Sequence, residues 1–183
     1  MPRIYAFHKP RGVLSSSVSE AGATPLVDVL PEPYRRWFAV GRLDKNSEGL
    51  ILLCDDARLA QRLMDPGGAA KVYEVTVEGF PAEDALAPFR AGGTILDGRA
   101  LRPIAIERIG KAPRGGTRYR VTLSEGVNRE IRRLFRGIGH RVRRLVRVAV
   151  GPVALGDLAP GAGRELSKDE ADALVQALRT ASA

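Results

Sequence analysis

A chain of 183 residues, 44% apolar and 27% charged, has the size and composition of one compact globular domain or of two tightly joined halves sharing a core. Its longest aliphatic run, 50–53 followed by Cys54, is far below the roughly 18 residues of a membrane span, and the first residues lack the charged-then-apolar layout of a signal peptide. A single cysteine excludes an internal disulfide and points to a reducing, cytoplasmic setting; with His8, His140 and Cys54 as the only soft ligands, no zinc site is expected.

In chain order, 3–8 predicts a short strand, followed by a Gly/Ser-rich loop over 9–24. Residues 36–40 predict a strand entering the polar loop 41–49, and 50–54 a buried strand. Asp55, with Asp56, is placed to cap a helix over 56–64, which Asp65-Pro66-Gly67-Gly68 ends. Over 72–78, Tyr73, Val75 and Val77 alternate with polar residues, the pattern of a strand with one buried face. Pro81 is tolerated in the first turn of a helix over 81–90. Strands follow at 101–109 and 118–123 around a loop at 110–116, then a helix over 127–138 and a strand over 141–150. Ser167 and Glu170 form a capping-box pattern before a helix over 171–178. Strands outnumber helices without alternating regularly with them, which predicts a mixed α/β (α+β) fold with a largely antiparallel sheet flanked by helices. No linker or internal repeat divides 1–183, so a single domain is expected.

The net charge is +8, and the segment 129–147 carries +7 of it through eight arginines against Glu130 alone. Such a stretch suits a polyanion, whose condensed counterions each neutralised phosphate releases; a solvated face is the alternative. Within the helix, Ile131, Leu134, Phe135 and Ile138 share one stripe. Arg129, Arg132, Arg133 and Arg136 repeat that spacing two residues out of phase, about 200° away. One stripe buries and the other is basic.

Familiar catalytic signatures are missing. Gly151 to Gly156 lacks the Lys-Ser/Thr of a phosphate loop, and no Gly-x-Ser-x-Gly elbow occurs. Carboxylates remain. Asp44, in Gly41-Arg42-Leu43-Asp44-Lys45-Asn46-Ser47-Glu48-Gly49, sits in a polar loop between two apolar strands. There it serves as a turn residue or as a nucleophile or general base.

That loop and the run 50–53 resemble the catalytic segment of RsuA-type rRNA pseudouridine synthases. Three further segments agree, in family order. His8-Lys9-Pro10-Arg11-Gly12-Val13 resembles the N-terminal Lys-Pro motif, and Lys71-Val72-Tyr73-Glu74-Val75 resembles the Lys-x-Tyr strand. Glu125-Gly126-Val127-Asn128-Arg129-Glu130-Ile131-Arg132-Arg133 resembles the Glu-Gly-x-Asn-Arg-Gln-x-Arg-Arg segment, with Glu130 in place of glutamine, an added negative charge beside the basic stripe. The chain starts at the catalytic domain, without the small N-terminal RNA-binding module, and in this it resembles the RluE-like subgroup that acts on large-subunit rRNA.

The resemblance implies a pseudouridine-synthase-like fold of two sub-halves sharing one sheet, and an isomerase that converts a uridine of ribosomal RNA to pseudouridine. No cofactor or metal is implied, no membrane, and a monomer by default. Asp44 is implied as the catalytic carboxylate. Beside an everted base it needs a cation to stay ionised, Arg132 by motif position and Arg129 as second choice. Tyr73 is implied to pack against the target base and move a proton, and Leu145 to line the uracil pocket. Arg42, Lys71, Asn128, Arg129, Arg133 and Arg144, with Lys9 behind them, are implied as phosphate or sugar contacts. Two other classes fit single features: a non-catalytic RNA-binding or ribosome-assembly protein would use the basic helix, and a glycosidase would pair Asp44 with Glu48.

Overall fold

The computed structural model describes residues 2–16, 22–65, 68–124 and 129–180. The elements run β1 (Ile4–Lys9), α1 (Leu26–Val29), β2 (Phe38–Val40), β3 (Glu48–Cys54), α2 (Ala57–Met64), β4 (Lys71–Glu78) and α3 (Glu83–Ala91). Then come β5 (Ile95–Leu96), β6 (Arg99–Ala100), β7 (Ala105–Ala112), β8 (Gly116–Leu123), α4 (Glu130–Gly137), β9 (Val142–Val150), β10 (Val153–Ala154), β11 (Gly163–Glu165) and α5 (Lys168–Thr180). Nine strands form one sheet with the order β11-β1-β3-β9-β4-β8-β7, to which β2 adds on β3 and β10 on β9. The mixed, largely antiparallel sheet flanked by helices is the expected architecture.

The sheet explains why 50–54 is apolar without alternation. Ile4, Ala6, Leu50, Leu52 and Cys54 pack on one face with Leu63 of α2 and Leu174 of α5. Tyr5, Phe7, Ile51 and Leu53 pack on the other with Leu26 and Leu30. A strand covered on both faces has no polar side to show. At the far end, Val75, Val77, Tyr119 and Val121 share a core with Leu86 and Phe89 of α3 and with Ile131, Leu134 and Phe135 of α4. That face is covered by helices, so β4 keeps its two-residue period.

Between these regions β3 meets β9 in the one parallel pairing of the sheet, Glu48 opposite Val146 and Gly49 opposite Arg147. A Cβ on Gly49 would stand 2.6 Å from Arg147 N and closer still to its carbonyl oxygen, and Gly49 has φ +109°. Only glycine satisfies both demands.

Several expectations shift. The α2 cap is Asp56, whose carboxylate accepts from the backbone N–H of Arg58 (2.8 Å) and Leu59 (2.9 Å); Asp55 instead accepts from Arg3 N at 2.8 Å. Pro81 precedes α3 rather than lying in its first turn. The loop at 110–116 contracts because β7 runs to Ala112 and β8 begins at Gly116. The start of the helix expected over 127–138 falls in 125–128, outside the described residues; helix is seen from Glu130. The capping box before α5 is present, with Ser167 N donating to Glu170 at 2.9 Å and Glu170 N to Ser167 Oγ at 3.2 Å.

Candidate active site

The loop between β2 and β3 turns tightly at Asp44, where Ser47 N donates to the Asp44 carbonyl at 2.9 Å. Three neighbours pin it. Ser15 Oγ donates to Leu43 O (2.8 Å) and accepts from Leu43 N (3.0 Å), and Gly12 N donates to Lys45 O (2.7 Å). From α4, Arg132 Nη2 donates to Asn46 O at 2.9 Å and to Ser47 Oγ at 3.1 Å, while its Nη1 reaches Val142 O at 3.2 Å. These bonds hold the backbone on either side of the aspartate, so the carboxylate is carried by a fixed frame rather than a loose tip.

The Asp44 side chain keeps 29% exposure and has two cations against it: Arg129 Nη1 donates to Oδ2 at 3.3 Å, and Arg132 Nε stands 3.7 Å from the same oxygen. Arg132 Nε is buried without a hydrogen bond among the described residues, so a small closing movement would complete one. Arg129 is the N-cap of α4 and has φ +51°, the left-handed region that an arginine adopts at a cost on the order of 1 kcal/mol. Its guanidinium nevertheless reaches the carboxylate. Both cations named from the sequence lie at Asp44, and the second choice makes the shorter contact.

Asp44 opens into a cavity of about 580 Å³, within the roughly 300–1,000 Å³ usual for small-molecule sites. Tyr73 and Lys71 line it from β4, Leu145 and Arg147 from β9, and Arg42 and Arg129 from the loop and helix ends. Strand geometry explains the set: Lys71 and Tyr73 are two apart on one strand, Leu145 and Arg147 two apart on another, and Tyr73 pairs directly with Arg147. Arg147 was not singled out beforehand as a cavity residue. It is 2% exposed, and its Nε donates to Leu50 O at 2.6 Å. The two-residue spacing from Leu145 was the available signal, masked by the four other arginines between 136 and 147. Glu130 was expected beside the basic stripe; it is buried instead and lines the same cavity.

The remaining candidates disperse. Lys71 is buried, and burial followed by the charge of Arg147 lowers its pKa. Lys9 is wholly buried, donating to Val13 O at 2.6 Å and Pro10 O at 3.0 Å, so it is not a phosphate contact. Burial brings its pKa down to about 8, with Asp44 and Glu48 opposing the shift and Arg147 adding to it. Arg133 is tied in a two-bond fork to Asp97 (both 2.7 Å), and Arg144 donates to Glu48 at 2.6 Å outside the cavity. That bond ties Glu48 to Arg144, and Glu48 does not line the Asp44 cavity, which leaves the paired-carboxylate reading without support. Asn128 lies outside the described residues. Among the described residues no group of His, Cys, Asp and Glu is arranged to hold a metal ion. No helix there is long and apolar enough to cross a membrane.

A nine-stranded mixed sheet that brings a loop aspartate, a strand tyrosine and Arg129 into one cavity, with Arg132 braced against the aspartate, is the core of a fold shared with known proteins. The sequence model of the RNA pseudouridylate synthases matches residues 3–136. An RNA pseudouridine synthase of Mycobacterium tuberculosis, named as uncharacterized, is 39% identical over 177 residues, covering 94% of this chain and 69% of that one. Ribosomal large subunit pseudouridine synthase E of Vibrio vulnificus is 36% identical over 179 residues, 90% of this chain and 75% of that one. A crystal structure of a pseudouridylate synthase superposes with a TM-score of 0.82 at 25% identity, covering 95% of this chain and 74% of that chain. The chain belongs to the RNA pseudouridylate synthase family, a family of isomerases.

Proposed function

We propose that the chain isomerises a specific uridine of ribosomal RNA, in the large subunit, with Asp44 as the catalytic carboxylate. The observation that carries this reading is the Asp44 carboxylate itself, held by a rigid turn, flanked by Arg129 and Arg132, and open to a cavity that Tyr73 and Leu145 also line. The names of the relatives supply the RNA class, since synthases E and B of the large ribosomal subunit are among them. The chain acts as a single catalytic domain, as a cytoplasmic monomer, and without a cofactor.

The reaction breaks the N1–C1′ bond, turns the uracil and forms a C5–C1′ bond; C5 loses a proton and N1 gains one, so atoms balance with no redox change. The base must leave its stack to reach Asp44, at a cost of a few kcal/mol that cavity contacts offset. Arg129 and Arg132 place positive charge beside the carboxylate that attacks the ribose or the base. Tyr73 packs on the uracil and its hydroxyl serves the proton transfer, while Leu145 closes the apolar side of the pocket. Arg42, exposed and lining the cavity, serves the nucleotide's phosphate or sugar, as Lys71 does from the cavity wall; Asn128, outside the described residues, keeps the same role from the motif.

The test is to map pseudouridines in ribosomal RNA from cells with and without the protein, then to follow tritium release from carbon-5-labelled transcripts. One large-subunit site should vanish in the deletion strain and be restored by the purified protein. An unchanged map would remove the reading.

A further inference from the structure

On the far side of Arg132 from the Asp44 cavity lies a second concavity, of about 790 Å³. Seven arginines line it against one carboxylate, Glu78, and no Phe, Tyr or Trp reaches it among the described residues. Arg129 lines both cavities, so the second begins where the first ends.

The arginines divide into two kinds. Arg129 and Arg132 face Asp44, Arg133 is forked on Asp97, and Arg143 donates to Glu78 (3.2 Å) and to the carbonyls of Pro113 and Arg114. Arg11, Arg136 and Arg141 are exposed and make no side-chain hydrogen bond or ion pair to any described residue. They come from three places: the loop after β1, the last turn of α4 and the residue before β9. Three cations without a partner among the described residues, converging from separate segments, repel one another, and a chain of anions relieves that repulsion. An acidic protein surface would want an apolar centre, which this groove lacks. Phosphodiesters need only cations.

We propose that this groove is the phosphate track of the RNA substrate: the strand adjoining the everted uridine runs across it, with Arg11, Arg136 and Arg141 as its contacts and Arg133 and Arg143 as internal struts. The proposal rests on the pseudouridine-synthase reading and departs from what the helix stripe alone suggests, because the sequence ranks Arg133 with Arg136.

Fluorescence anisotropy with a labelled oligouridylate over a potassium chloride series tests it. Arg136→Ala and Arg141→Ala should each flatten the log–log salt slope by about 0.7, and the double variant by about twice that. Arg136→Lys should restore the slope, since a phosphate needs the charge and not the fork. Arg133→Ala should leave the slope unchanged while lowering the melting temperature, and Arg58→Ala on α2, away from both cavities, should change neither. In tritium release from a ribosomal RNA transcript, the loss for Arg136→Ala and Arg141→Ala should fall on KM. Wild-type slopes in both alanine variants, or a slope change in Arg133→Ala alone, overturn the track. A wild-type protein that shows these slopes but releases no tritium overturns the enzymatic reading and leaves the track standing.

Discussion

Arg132 holds Asp44 in two ways at once: its Nε faces the carboxylate at 3.7 Å, and its Nη2 grips the turn beyond it through Asn46 O and Ser47 Oγ. One guanidinium thus serves as counter-charge and as bracket. Lysine has the charge but not the fork. Arg132→Lys should therefore lower kcat by roughly 10²-fold or more and lower stability by about 1–2 kcal/mol, because at least two of its hydrogen bonds are lost. Single-turnover tritium release with a urea melt checks both. Activity near wild type would reduce Arg132 to a structural residue.

Asp44→Asn keeps the volume and the turn but removes the charge and the carboxylate oxygen that the proposed reaction uses. Tritium release should fall below detection while RNA binding survives, since the change removes a negative charge from a basic cleft. Asp44→Glu should be nearly as inactive, because it moves the oxygens on the order of 1 Å. Substantial turnover by the asparagine variant would sink the mechanism.

Tyr73→Phe separates ring from hydroxyl. With the hydroxyl in the proton transfer, turnover should drop by roughly 10²-fold or more and RNA affinity should barely move. Unimpaired turnover would leave Tyr73 as packing for the base.

The buried Lys9 ammonium gives a stability signature. Its folded pKa of about 8 lies below the ordinary 10.5, so between those values the unfolded chain binds more protons and stability rises with pH. Below about 8 the cost of burying the charge is present in full. Lys71 shifts in the same direction, and Tyr5, Tyr34 and Tyr119, raised by burial first, act oppositely, so the comparison is with Lys9→Met. From about pH 7 to about pH 9.5 the wild type should gain on the order of 2 kcal/mol relative to Lys9→Met. Parallel urea midpoints over that range would show that Lys9 titrates normally.

Gly49→Ala brings a Cβ against the Arg147 backbone and forces a non-glycine residue to φ +109°. Either strain costs on the order of 1–3 kcal/mol, and together they should leave little folded protein at 37 °C. Circular dichroism melts read this directly; a wild-type melt would mean that the two strands can separate without penalty.

Much of this was legible before any coordinates. The run 50–54 and the alternation at 72–78 were correct because burial writes itself into period, and the Ser167–Glu170 box because two side chains satisfy two backbone donors. Elements of two to four residues, such as α1, β5, β6 and β10, are too short to carry a period. The motif positions of Asp44, Tyr73 and Leu145 led to one cavity. What the sequence could not reveal was pairing: a stripe of arginines looks uniform until Asp97 claims Arg133, Glu48 claims Arg144 and the Asp44 turn claims Arg132. Lys9 and Arg147 show the reverse error, charges that read as surface and are buried.

The parallel seam between β3 and β9 joins segments ~100 residues apart, whereas the pairings on either side of it, β1 with β3 and β9 with β4, close shorter loops. Asp44 enters from the β3 side, and Tyr73, Leu145, Arg129 and Arg132 from the β9 side. Each side on its own would be a folded surface with no chemistry. In a refolding time course, recovery of tritium release should therefore trail recovery of the β-sheet signal, and the newly made enzyme stays silent toward RNA until this seam has closed.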